Sequence, residues 1–180
     1  MKPVIIRFKK DHTTREKILL WLLGEVIPIH AKFYTKRKPW GLRTQNLLFY
    51  PENTLGNELG KFLLSEKLQP IPRVERHDAF HILLDFDTHV NNEAAMQFFL
   101  IGNGKISPFT LGTAVFAGLM LPEQWGNFRK QFNRGRKARN ISKWDFQELL
   151  SEDFEDLKKI IFHIPVKNDQ LIKKVQAFER

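Results

Sequence analysis

His77 and His81 stand four residues apart, and Glu93 follows twelve residues after the second. This spacing limits the possible folds more than any other feature of the chain. Residues at i and i+4 stack one turn apart on one helix face, so two neutral imidazoles there can reach a single divalent ion. Asp78 lies about 100° round the helix from His77 and three residues before His81, so its carboxylate can close on the same ion from the side. Glu93 cannot join along a straight helix, because twelve residues rise by about 18 Å. The chain must reverse between them. Asp85, Asp87, Thr88, Asn91 and Asn92 supply a polar cluster with turn and N-cap character. The pattern predicts a helix ending near Asp87, a short loop, and a second helix starting at Asn91 or Asn92. Glu93 then falls in the first turn of that second helix and faces back toward the histidines. A hydrogen-bonded His-Asp pair on a helix surface is the plainer reading of the same spacing. His12 and His89 have no such company and read as solvated or structural.

At 180 residues the chain is expected to form one domain, 1–180, long enough to bury a sizeable core. There is no cysteine, which excludes disulfides and thiolate zinc ligands, so any metal must use His, carboxylate and water. The formal net charge of +9 favours partners with phosphate or anionic lipid. Met1 to Lys10 carries only a short apolar run, Pro3 to Ile6, which does not read as a signal peptide. No apolar stretch reaches the roughly 20 residues of a membrane span. Any membrane association is expected to be peripheral, from the cytoplasm onto the inner face.

The coarse pattern is all-α, with about six or seven helices and, at most, a short extended arm at Pro3–Ile6. Thr13 and Glu16 have capping-box spacing ahead of an apolar helix that Pro28 stops. Lys36 to Trp40 sets an aromatic ring among cations, which suits a solvated loop, a membrane interface or a phosphate-rich partner. Asn53 is expected to cap a helix whose core side carries Leu55, Leu59, Phe62, Leu63 and Leu64. After the paired motif helices, Gly102-Asn103-Gly104 is a stop signal. Pro108 to Leu121 is the most hydrophobic stretch, with Gly112, Ala114, Ala117 and Gly118 among larger residues. It reads as a buried core helix. Its small residues also let another helix or a slender apolar ligand approach, with Phe109 and Phe116 as the lipid-facing candidates.

From Trp125 onward a basic amphipathic segment carries Arg129, Arg134, Arg136, Lys137 and Arg139. Such segments bind membrane surfaces, phosphates or nucleic acid, and a solvated charged face is the plainer alternative. Gly135 is expected to kink it or to present backbone N–H groups to a phosphate. A last helix runs from about Asp153 to Phe162. Residues 1–12 and 168–180 are expected to attach loosely.

The pattern His77-Asp78-x-x-His81, eleven residues, then Glu93 resembles the signature of the coenzyme Q (ubiquinone) biosynthesis protein 4 family. Asn53-Thr54-Leu55-Gly56 through Gly60-Lys61-Phe62-Leu63 resembles that family's Thr-Leu-Gly helix. Phe132 to Arg139, then Trp144 and Glu148-Leu149-Leu150, resembles its Arg-Gly-basic segment and closing helix. The likeness runs from about Asn53 to Ile164. Where the family usually has a Thr-Gly-aromatic stretch after the second histidine, this chain has Leu84-Asp85-Phe86.

The resemblance implies that His77, Asp78, His81 and Glu93 hold a divalent metal, zinc first, and serve in catalysis. By donor type iron or manganese would also be accepted. It implies oxidative removal of a ring carboxyl group, with hydroxylation at that carbon, on a polyprenylated quinone precursor. It also implies a part in assembling other quinone-biosynthesis enzymes. A homo-oligomer is compatible with all of this. Three alternatives remain at this stage: a non-catalytic prenyl-lipid scaffold with a structural metal, a His-Asp phosphohydrolase, and a nucleic-acid binder. No recognition motif supports the last, and no nucleic-acid partner is expected.

Overall fold

The computed structural model describes Thr14, Lys17 and residues 38–180. Apart from those first two positions, the expected helix after Thr13, the Pro3–Ile6 arm and Lys36–Arg37 lie outside the described residues, as do residues 1–12. Among the described residues the chain is helical, with no strand. The elements are α1 (Thr44–Leu47), α2 (Leu55–Ser65), α3 (Glu75–Leu83), α4 (Val90–Gly102), α5 (Pro108–Met120), a 3-10 turn (Pro122–Gln124), α6 (Trp125–Lys137), α7 (Phe154–Ile161) and α8 (Asp169–Glu179). The chain groups into two compact units, one joining residues 38–85 to 137–180 and the other containing 86–136.

In the first unit α2 is the anchor. Thr54, not Asn53, is its N-cap, and the Thr54 hydroxyl accepts from the Asn57 amide at 3.4 Å. Asn53 instead takes a left-handed turn at φ 62°, one residue too early to cap, and its carbonyl accepts from the Phe154 amide at 2.8 Å. Leu55, Leu59 and Leu63 recur every fourth residue and are buried, which is the apolar stripe a core-facing helix needs. Leu64, expected in the core, is exposed because it lies about 100° past Leu63. The start of α2 is tied to the segment before α7, where Leu55 N donates to Glu152 O at 2.9 Å and Gly56 N to Leu150 O at 2.8 Å.

The sequence places the end of α3 near Asp87, but it comes earlier, at Leu83. Asp85 adopts φ 58°, a left-handed position that short polar side chains tolerate and that stops a helix. The next helix starts at Val90 with His89 as N-cap, earlier than Asn91. The His89 amide donates to the Asp87 side chain at 2.9 Å, so Asp87 closes the turn instead of ending the helix.

Residues 168–180, expected as a loosely attached helix or tail, contain α8. Leu171 and Val175 are buried, Asn168 caps the helix through the Leu171 amide at 3.0 Å, and Lys174 pairs with Glu152 at 2.6 Å.

In the second unit α4 ends in a Schellman motif. Gly104 takes φ 90°, its amide donates to Ile101 O at 3.0 Å, and Lys105 N donates to Leu100 O at 2.9 Å. Phe98 of α4 stacks on Phe128 of α6, centroids 4.5 Å apart. The two helices touch backbone to backbone. A Cβ on Gly102 would lie 2.1 Å from Phe132 O, and one on Gly135 would lie 2.0 Å from Phe99 O. Gly135 is therefore a helix-crossing residue, not a kink or a phosphate cradle. It is buried, and its carbonyl accepts from the Asn103 side chain at 3.1 Å.

The α5 helix is turned inside out relative to the buried core helix expected. Ala114, Ala117 and Thr110 are buried, whereas Leu111, Val115 and Leu119 are exposed, the last two at 63% and 71%. Ala114 and Ala117 serve the interior, and Leu111, Val115 and Leu119 face outward.

Candidate metal centre

Both histidines belong to α3, and that helix is fixed by the residues around them. Glu75 is buried and its carboxylate accepts from the Trp40 amide at 3.0 Å. Arg76 donates to Ile141 O and lies over the rings of Phe80 and Phe146, 5.1 and 5.2 Å from their centroids. These contacts hold the rotation of α3 about its axis. Such cation–π pairs contribute about 0.5–2 kcal/mol each where water is excluded.

His81 is only 3% exposed. Phe62 of α2 stacks on its ring at a centroid distance of 5.6 Å and an interplanar angle of 21°. The His77 ring meets the His81 ring edge-on, 5.0 Å away at 81°. Their Nε2 atoms are 3.3 Å apart. Two nitrogens each about 2.05 Å from one zinc at a tetrahedral angle would lie about 3.3 Å apart. A neutral imidazole pair sharing one proton can adopt a similar separation, so a third donor matters.

That donor is Glu93, in the first turn of α4, where its amide donates to His89 O at 2.8 Å. Among the described residues, one ligand atom from each of His77, His81 and Glu93 lies within 4.8 Å of the others. Two imidazoles and a carboxylate are a donor set that zinc, iron and manganese all accept. Three protein ligands also leave coordination positions for substrate or water. Asp78 is half-buried and stands outside this trio.

The other candidates are dispersed. Arg129, Arg136 and Lys137 are exposed on α6. Arg134 is half-buried, with its guanidinium over Phe86 and Phe99 at 5.7 and 5.4 Å. Arg139 lies beyond the end of α6 beside Glu179. Phe116 is half-buried, and the side chain of Phe109 is outside the description. Sequence reasoning missed the neighbours that orient the histidines, Phe62 and Arg76. It also missed the outward apolar stripe of α5. The signal for that stripe was present, since Leu111, Val115 and Leu119 share one helical face and Ala114 and Ala117 another.

Among the described residues no helix is long and apolar enough to cross a membrane. No curated protein matches the chain. A solved structure, a Nostoc punctiforme protein named for ubiquinone biosynthesis, has a similar fold with a TM-score of 0.54. It is 19% identical, and the likeness covers 84% of this chain and 82% of that one. Residues 71–165, which contain His77, His81 and Glu93, match the family described as coenzyme Q (ubiquinone) biosynthesis protein Coq4. The chain belongs to that family, which implies a role in ubiquinone biosynthesis.

Proposed function

We propose that His77, His81 and Glu93 hold one divalent metal ion, zinc in the first instance and iron or manganese as alternatives. At this centre the protein acts on a polyprenylated quinone precursor: the ring carboxyl group leaves as carbon dioxide, a hydroxyl takes its place, and an external two-electron oxidant, dioxygen or an equivalent acceptor, takes up the electron pair. The observation that carries the reading is the pair of Nε2 atoms at 3.3 Å with a carboxylate in reach. Bound there, a metal supplies Lewis acidity toward an oxygen of the substrate. The chain's own residues do the rest. Phe62 and Arg76 keep the rings and their helix in register, and the burial of His81 limits water on that side. Asp78, next to His77 in the chain and outside the ligand trio, serves as the further carboxylate that moves a proton.

Exposed Leu111, Val115 and Leu119 favour a second role alongside the first, docking on a membrane surface or on other quinone-biosynthesis enzymes. Arg129, Arg136 and Lys137 would meet anionic headgroups from the cytoplasmic side, and a homo-oligomer would cover the same apolar stripe. If the metal proves purely structural, the protein is a prenyl-lipid-binding scaffold.

The test is native mass spectrometry of protein purified from its host's membranes, reading metal and co-purified lipid together, with Glu93→Gln alongside. The catalytic reading expects the variant to fold, to lose metal and to lose quinone production. Quinone production that persists in a folded, metal-free variant ends that reading and leaves the scaffold.

A further inference from the structure

The side of α4 that carries Glu93 is otherwise closed apolar packing, with one exception. Residues three and four positions apart share a side of a helix, so Val90, Met96, Gln97 and Leu100 line the strip that runs past Glu93. Val90, Met96 and Leu100 are at most 1% exposed. Gln97 is nearly as buried, at 3%, yet it carries an amide.

Buried polar side chains normally find a partner, and leaving one without costs stability. The other buried polar side chains each make at least one hydrogen bond. Among the described residues nothing bonds to the Gln97 amide. That amide is not sealed in either. The unpaired polar atoms without exposed surface include Asn57 Oδ1 and Asn91 Oδ1, but neither amide atom of Gln97. The small exposed fraction of Gln97 therefore includes its amide end. A leucine or methionine would fill the same space without the cost. Nor does Gln97 hold Glu93 in place, because no hydrogen bond joins them although their i, i+4 spacing would allow one. The amide is placed for a group that the protein itself does not supply.

We propose that Gln97 is a specificity residue, whose amide pairs with a hydroxyl or carbonyl oxygen of the substrate ring. The proposal rests on the reading that a ring carboxylate binds at the metal centre beside Glu93. One helical turn separates Glu93 from Gln97, about 5–6 Å between their Cβ atoms. That is close to the span from a ring carboxylate to an oxygen across the ring. A primary amide suits either kind of oxygen, since its nitrogen donates and its carbonyl accepts. Val90, Met96 and Leu100 offer nothing polar in its stead. A ring lacking the oxygen would leave the amide unpaired, and a site built to bond a hydroxyl rejects the analogue without one.

The test is calorimetric titration of the zinc-loaded protein with two probes, para-hydroxybenzoate and benzoate, each bearing a hexyl chain meta to the carboxylate. The unaltered protein should bind the hydroxylated probe about tenfold more tightly, the scale of one hydrogen bond. Gln97→Leu and Gln97→Met should bind the two probes alike. Both variants should keep their zinc, read by elemental mass spectrometry, and melt no lower than the unaltered protein. The proposal is overturned if the unaltered protein binds both probes equally, or if its preference persists in a folded variant. It is also overturned if both variants lose zinc or melt well below the unaltered protein, which would give the amide a structural task. An unaltered protein that holds no zinc, or that holds zinc and takes up neither probe, removes the reading of the metal centre and this proposal with it. A preference that survives the substitutions removes this proposal alone.

Discussion

His77 and His81 point their Nε2 atoms at one another across 3.3 Å, one helical turn apart on α3. Ordinary i, i+4 spacing brings such rings near each other. Here the 81° angle between them also aims both nitrogens at one volume, and Glu93 borders it.

Removing either ring should therefore remove the ion. The unaltered protein is expected to purify with one divalent metal per chain, and His77→Ala and His81→Ala without it, read by elemental mass spectrometry. Chelator treatment of the unaltered protein should reach the same state, and zinc should restore it. Equal metal content in His81→Ala and the unaltered protein would remove the site.

Phe62 tests orientation apart from ligation. It donates nothing to a metal but stacks on His81 at 5.6 Å. Phe62→Ala should weaken metal binding by about tenfold, in the range found when groups that orient a ligand are lost. The stability cost should be about 2–3 kcal/mol, the aromatic pair together with the apolar area that the half-buried ring loses. Phe62→Tyr should restore the affinity. A Phe62→Ala protein with unchanged affinity and lowered stability would reduce Phe62 to a packing residue.

How much of this was legible beforehand follows from which forces act locally. The i, i+4 pair, the need for a chain reversal and the position of Glu93 in a first turn come from helix geometry, and these were readable. The helix boundaries were less so. Asp85 and Asn53 each enter left-handed conformations, and only the surrounding chain selects which polar residue turns and which one caps. Gly135 looked like a kink or an anion cradle because a glycine's role depends on what approaches it. Its partner, Phe99 O, is remote in sequence. Phe62 was visible as an apolar residue of α2, but its stacking on His81 is a tertiary contact that no period encodes. Membership of the ubiquinone-biosynthesis family rested on four residues in register plus flanking segments, and that pattern survives the shifted boundaries.

The Gly102–Gly135 crossing gives a prediction about stability alone. Added Cβ atoms would lie 2.1 and 2.0 Å from carbonyl oxygens, and backbone cannot yield as a flexible side chain can. Gly135→Ala and Gly102→Ala should each destabilise by about 3 kcal/mol or more, the upper end of overpacking costs. Thermal denaturation should show a Tm lower by roughly 6 °C or more. Gly112→Ala, with nothing within 4 Å of its Cβ, is the internal control and should be neutral or slightly stabilising, because alanine is the better helix former. Equal melting of Gly135→Ala and the unaltered protein would show that the helices do not cross this closely.

The outward face of α5 makes the opposite kind of prediction, a change in association without loss of fold. Val115 and Leu119 are 63% and 71% exposed, so replacing these two with serine removes far less buried area than a core substitution. The double variant should melt within a few degrees of the unaltered protein. Its binding to vesicles containing anionic lipid should fall sharply, since each buried side chain of this size contributes about 1.5–3 kcal/mol. Arg129→Gln with Arg136→Gln should instead reduce binding mainly at low salt, because exposed charges are screened over about 10 Å at 0.1 M. If the serine variant binds vesicles undiminished but shifts from dimer to monomer in analytical ultracentrifugation, the stripe is a contact between copies of the chain and not a membrane surface.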